Sequence, residues 1–246
     1  MALAIIGGTG LYQLDHLTIA EKRRIQTPYG ETSAPIVCGA YDDMPVFFLA
    51  RHGEQHQWPA HRVNYRANIH ALMQFGVKQI ISVNAVGGIT SAMEPAALCV
   101  PDQIIDYSSG RIHTYSDDEI SPLLHIDFSF PYTERMRQLL MDAGKAADLN
   151  ITAHGVYGCT QGPRLETAAE IKRMKHDGCD VVGMTGMPEA ALARELGIDY
   201  ASLCLVVNWA AGCTSELITI EAITATLKAG MKNIHILLAH ILSRHT

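Results

Sequence analysis

Apolar residues follow two rhythms along this chain. Short unbroken apolar runs alternate with stretches where apolar positions recur every three or four residues. The first run, Leu3-Ala4-Ile5-Ile6, meets Gly7-Gly8-Thr9-Gly10. It reads as a buried strand leaving through a tight turn. Residues 17–26, 35–41 and 45–50 read as further strands, with a turn at Thr27-Pro28-Tyr29-Gly30. Helical spacing first appears over 63–75, ahead of Gly76. Strands are then expected over 78–84, 103–107, 153–159 and 180–184. Helices are expected over 133–147, from Thr167 to about 176, and over 187–196 with Pro188 in the first turn, where proline is tolerated. Residues 200–207 are apolar enough for a strand covered on both faces. A long helix over 220–243 closes the pattern, and the polar stretch 108–130 reads as a long loop. Alternating strands and helices predict an α/β fold: a three-layer αβα single domain over 1–246 with a mixed, largely parallel central sheet.

The predicted strands end in small, Gly- or Asn-containing turns at 7–10, 51–53, 84–88, 161–166, 184–186 and 208–212. In open α/β sheets ligands bind outside the carboxyl ends of strands, so six such turns converging there would form one site. Glycines at 7–10 would leave backbone N–H groups open to an anion, or would simply permit positive φ. A dinucleotide fold would need a helix directly after the glycines and an acid about 20 residues on. The pattern offers neither, which disfavours an NAD-binding oxidoreductase.

Composition narrows the partners. The 246 residues carry a net charge of −6 with no basic run, which argues against nucleic acid but not against a nucleoside or a single phosphate. Six scattered cysteines without a Cys-x-x-Cys pair read as buried thiols of a reducing cytosol. No signal-peptide pattern and no apolar run near about 20 residues is present, so a cytoplasmic chain without a membrane span is expected. His52, His56 and His61 lie close together, but Gly53 and Pro59 break helical spacing and no metal site is expected.

Four residues invite chemistry. Arg51-His52, directly after a strand, is a candidate anion clamp, or a salt-bridged arginine beside a packed histidine. Glu166 stands before a helix, either as a dipole partner or as an acceptor for a ligand's ring N–H. Asn208 ends the most apolar strand, satisfied by backbone or aimed into a pocket.

Taken together, these stretches resemble the purine nucleoside phosphorylase / methylthioadenosine phosphorylase family. The likeness rests on Ile6-Gly7-Gly8-Thr9-Gly10, Ala50-Arg51-His52-Gly53, Val63-Asn64-Tyr65-Arg66-Ala67-Asn68, Gly162-Pro163-Arg164 and Gly183-Met184-Thr185-Gly186-Met187-Pro188-Glu189, in order along nearly the whole chain. Within the family, the bacterial methylthioinosine phosphorylase branch shares Asn84-Ala85-Val86-Gly87-Gly88, the run from Gln161 to Thr167, and Val206-Val207-Asn208. The resemblance implies phosphorolysis of a purine nucleoside's N-glycosidic bond in purine salvage, with inorganic phosphate as cosubstrate, no other cofactor, no metal, and a homotrimer. It implies that Thr9, Arg51, His52 and Thr185 hold phosphate. Asn84 and Ala85 would floor the phosphate and ribose, Met184 would face the ribose, and Leu165 would pack on the base. Glu166 and Asn208 would read the base edge and assist catalysis, and His125 would reach a neighbouring subunit's 5′ region.

Substrate choice turns on two places. Adenine-specific relatives carry aspartate where this chain has Asn208, and again at Ala210. An amide can donate to a 6-oxo oxygen, and Glu166 can accept from the N1–H of hypoxanthine. Adenine would set acceptor against acceptor, so a 6-oxopurine is expected. Ile218, Ile220 and Ile223 would face a 5′-methylthio group, or could be core. A broader inosine/guanosine phosphorylase is the alternative, methylthioadenosine phosphorolysis less so, and a ligand-binding module without turnover is a third reading.

Overall fold

The computed structural model describes residues 2–243 apart from 13, 15, 43 and 118–121; the side chains of Thr9 and Tyr12 also lie outside the described part. In chain order the strands are β1 (Ala2–Gly7), β2 (Leu17–Arg23), β3 (Gln26–Thr27), β4 (Gly30–Glu31), β5 (Ile36–Tyr41), β6 (Met44–Ala50), β7 (Val77–Gly88), β8 (Leu98–Cys99), β9 (Gln103–Asp106), β10 (Ile151–Thr152), β11 (Val156–Cys159), β12 (Val181–Gly183) and β13 (Asp199–Trp209). The helices are α1 (Tyr65–Gln74), α2 (Glu134–Ala146), α3 (Ala168–His176), α4 (Gly186–Glu195) and α5 (Ile220–Ser243).

β1 lies at the centre, parallel to both β6 and β7. β7 pairs parallel with β13 and antiparallel with β12, and β2, β5 and β6 form an antiparallel flank. The eleven-stranded sheet is therefore mixed and largely parallel, as the pattern predicts.

Side-chain alternation along β1 sorts the two faces. Leu3 and Ile5 join a buried cluster with Met136 and Leu140 of α2 and Ile234, Leu237 and Leu238 of α5. Ala4 and Ile6 join Ile69 and Leu72 of α1 and Ala190 and Leu192 of α4 on the other. A third cluster sets Ile171 and Met174 of α3 against Val182 and Ala210. Helices thus cover both faces, which is why β1, β7 and β13 read as continuous apolar runs rather than alternating ones.

Two strands run further than the sequence suggests. β7 continues through Asn84-Ala85-Val86-Gly87-Gly88 instead of turning there, and β13 continues through Asn208 and Trp209. The glycines of β7 serve close approach, not a bend. A Cβ on Gly88 would stand 1.8 Å from the Met93 carbonyl oxygen. The partner strand absorbs the irregularity with a register shift between Val206 and Asn208.

Candidate active site

The predicted turns do converge. Gly8, Gly10, Arg51, His52, Asn84, Ala85, Leu165, Glu166, Met184, Thr185 and Asn208 all line one cleft of about 910 Å³ beyond the strand ends. Separate cavities beside Arg24 (about 350 Å³) and beside Phe130 (about 650 Å³) are smaller and hold none of these residues. Among the described residues between β1 and β2 the chain makes one short 3-10 turn, Thr9–Tyr12. That is no dinucleotide geometry. The Thr9 side chain lies outside the described residues.

Arg51 departs from the expected clamp. Its side chain is 2% exposed and its fork faces inward. Nε and Nη2 donate to the two carboxylate oxygens of Glu189 at 2.7 and 2.8 Å, Nη2 also to Ser82 Oγ at 2.6 Å, and Nη1 to the Val83 carbonyl at 3.2 Å. Guanidinium has five N–H donors, so one Nη1 hydrogen remains for the cleft. The bidentate partner is Glu189, 0% exposed, which also accepts from Ser82 Oγ and Tyr200 Oη, each at 2.9 Å. Burial opposes the charge on Arg51, but Glu189 outweighs it and holds the guanidinium protonated above its ordinary range. The pair is a buried anchor, hydrogen-bonded through all but one guanidinium N–H, that fixes the end of β6 against β7 and α4.

His52 is neutral. Burial and then the Arg51 charge push its pKa down to about 4. Its Nδ1 lies 2.7 Å from the Trp58 carbonyl, which can only accept, so the proton sits there and Nε2 presents a lone pair. The ring stacks on His56, with centroids 4.5 Å apart. Asn84 is wholly committed to scaffolding: its amide nitrogen donates to Ser82 and Ser202 hydroxyls, and its oxygen accepts from Thr185 Oγ1 at 2.9 Å. It orients Thr185 at the start of α4.

The other wall carries the polar pair expected for a base. Thr160 Oγ1 donates to one oxygen of Glu166 at 2.6 Å, and the other oxygen has no hydrogen bond among the described residues. Asn208 Nδ2 donates to the Trp209 carbonyl at 2.7 Å, and Oδ1 has no partner among the described residues. A capping box between Thr167 and Glu170 starts α3 and fixes the backbone after Glu166. Gly162, at φ +63°, lets the loop pass Met184, whose sulfur lies 2.5 Å from where a Cβ would stand.

Arg111 holds these walls together, a role the sequence did not disclose. Its donors reach the carbonyls of Thr160, Gln161, Met184 and Met187 and the Gln161 side chain. The only outward sign was an arginine in the predicted loop 108–130. His56, Trp58, Thr224, Leu227, Lys228 and Met231 also line the cleft. The last four repeat at helical spacing on α5, a signal submerged in the apolar stripe that continues into the core.

Two expectations fare differently. Ile218 and Ile223 line the cleft, but Ile220 does not; it is 70% exposed on the first turn of α5, which projects past the cleft wall. His125 is exposed and outside its own chain's cleft.

The mixed α/β sheet and its strand-end cleft belong to a known class: the chain is a member of the phosphorylase superfamily, whose family model matches residues 2–243. The chain is 54% identical over 240 residues to "Probable S-methyl-5'-thioinosine phosphorylase" of Pseudomonas syringae pv. tomato, covering 98% of each chain. It is 44% identical to "6-oxopurine nucleoside phosphorylase" of Pyrococcus furiosus, over 88% of this chain and 83% of that protein. Among solved structures it superimposes on a methylthioadenosine phosphorylase from an antarctic soil metagenomic library (35% identity, TM-score 0.91, 98% and 85% covered). It also superimposes on the Schistosoma mansoni methylthioadenosine phosphorylase in complex with adenine (29% identity, TM-score 0.92, 98% and 90% covered).

Proposed function

We propose that this enzyme cleaves S-methyl-5′-thioinosine with inorganic phosphate, giving hypoxanthine and 5-methylthioribose 1-phosphate. The observation that carries the reading is the pairing of Glu166 and Asn208 in the cleft that Arg51, His52 and Thr185 also line. The free oxygen of Glu166 accepts from N1–H of a 6-oxopurine, and the second amide hydrogen of Asn208 donates to the ring's acceptor edge. Adenine would leave Glu166 facing an unprotonated N1, and because Glu166 and Asn208 are half-buried the mismatch is expected to cost at least about 10²-fold.

Phosphate docks at the Gly8–Gly10 turn, against the remaining Nη1 hydrogen of Arg51 and beside Thr185, whose hydroxyl must turn from Asn84 to donate to it; Thr9 is assigned there by its place in the motif. The lone pair on His52 Nε2 takes a hydrogen bond from a P–OH, leaving the attacking oxygen more nucleophilic. That oxygen bonds to C1′ as the C1′–N9 bond breaks, and the bonding pair leaves with the purine. The phosphate charge stabilises the cationic ribose, and the Asn208 amide stabilises the departing base. No covalent enzyme intermediate, metal or further cofactor is required.

Ile218, Ile223, Leu227 and Met231 give the 5′ group an apolar wall, which favours methylthio over hydroxyl. The absence of Ile220 from that wall thins it and favours a second reading, a broader inosine/guanosine phosphorylase. We further propose a cytoplasmic homotrimer in which a neighbouring chain brings His125 to the 5′ region. Release of hypoxanthine from methylthioinosine with and without phosphate tests the reaction: release only with phosphate is expected, and equal release without it would contradict it.

A further inference from the structure

The cleft that we read as a phosphate site is short of positive charge. Its charged lining groups are Arg51, Glu166 and Lys228, with His52 and His56 beside them. Arg51 is neutralised by Glu189, which touches it at 2.7 Å. His52 is uncharged near neutral pH, since burial and the Arg51 charge hold its pKa down at about 4. Thr185 gives its hydroxyl hydrogen to Asn84. A phosphate dianion entering such a cleft needs a cation, because few of the donors around it are free.

Lys228 is placed to supply it. Positions 228, 231 and 235 fall on one face of α5, spaced i, i+3, i+7. The two later residues are docked on the glycine turn. His235 Nε2 lies 2.9 Å from the Gly10 carbonyl, and the methyl of Met231 lies 3.8 Å from where a Gly10 Cβ would stand. Lys228 carries the same stripe one turn nearer the N-terminus of α5, and it lines the cleft together with the exposed Gly8, where a Cβ would meet nothing within 4 Å. It lines the cleft and makes no hydrogen bond or ion pair among the described residues. A helical turn rises about 5.4 Å, a step that a lysine's four-carbon stem can span to reach the cleft beside the docked glycine turn.

We propose that Lys228 is a phosphate ligand of this site: its ammonium folds over the Gly8–Gly10 turn and donates to the bound phosphate. This rests on the reading of the cleft as a phosphorylase site. The ammonium is on a flexible, solvent-reaching stem, so it joins the site when the anion arrives instead of being held there beforehand.

The test compares wild type, Lys228→Gln and Lys228→Arg. Phosphate binding is measured by calorimetric titration of the purified chain, and phosphate and nucleoside KM are measured with methylthioinosine. Lys228→Gln is expected to weaken phosphate binding and raise phosphate KM about tenfold, as loss of one charge-assisted hydrogen bond should. Nucleoside KM should move less than about twofold, and Lys228→Arg should restore most of the loss. The gap between wild type and Lys228→Gln should shrink at about 1 M salt, where a partly exposed charge is screened. If wild type binds phosphate and releases base while Lys228→Gln does both equally well, Lys228 is no ligand and the proposed reaction stands. If wild type neither binds phosphate nor releases base, both proposals fall.

Discussion

In the proposed reaction, base choice turns most on Asn208. One amide hydrogen is tied to the Trp209 carbonyl, which fixes the rotamer and leaves the other hydrogen and Oδ1 facing the cleft. Aspartate in its place would offer only acceptors, which suit an amino group on the purine and oppose a 6-oxo oxygen. Asn208→Asp is therefore expected to move the kcat/KM ratio of methylthioinosine over methylthioadenosine down by at least about tenfold. Competing substrates assayed side by side check this, and an unchanged ratio would remove Asn208 from base recognition. Sequence identified Asn208, Glu166 and Arg51 because each sits beside a strand end, where side chains must face a ligand or a turn. It did not show that Arg51 turns its fork to Glu189. That contact spans 138 residues, and only the fold brings the two together.

Larger elements were legible by their apolar rhythm and less so at their ends. The helix that starts at Thr167 and the long α5 stand where the pattern predicts them. β7 was cut short because glycines usually punctuate, and only packing against Met93 reveals that here they admit a neighbouring backbone. The segment after β6 is the element with the plainest pH signature. It closes on itself through His52 Nδ1 and the Trp58 carbonyl, with His52 neutral in the fold. The unfolded chain would bind a proton near pH 6.5, the folded one only near pH 4. Between those values the unfolded state carries more protons, so stability rises with pH through this window and falls as pH drops from about 6.5 towards about 4. Urea midpoints at pH 7 and about pH 4.5 should differ less in His52→Gln than in wild type. An equal difference would show that His52 does not couple to folding.

At the scale of the molecule, the three-layer α/β fold puts both walls of the cleft on the rigid ends of β1, β6, β7, β12 and β13, while the mouth is built from α5 and the 51–58 segment. Apolar side chains remain uncovered around that mouth: Leu217 is 90% exposed and Ile220 70%. A neighbouring chain packed there would cover them and would explain why Ile220 fails to line its own chain's cleft. For the homotrimer proposed above, sedimentation equilibrium should return three chains per particle; a monomer at micromolar concentration would leave these residues and His125 without the partner assigned to them.

The proposed reaction is a phosphate-dependent cleavage selective for a 6-oxopurine with a 5′-methylthio group. Its most direct test is one parallel assay of methylthioinosine, inosine, guanosine and methylthioadenosine, each with and without phosphate, measuring free base. Base release is expected only with phosphate, fastest per unit concentration from methylthioinosine and at least about 10²-fold slower from methylthioadenosine. Methylthioadenosine cleaved as well as methylthioinosine, or any base released equally without phosphate, would contradict it.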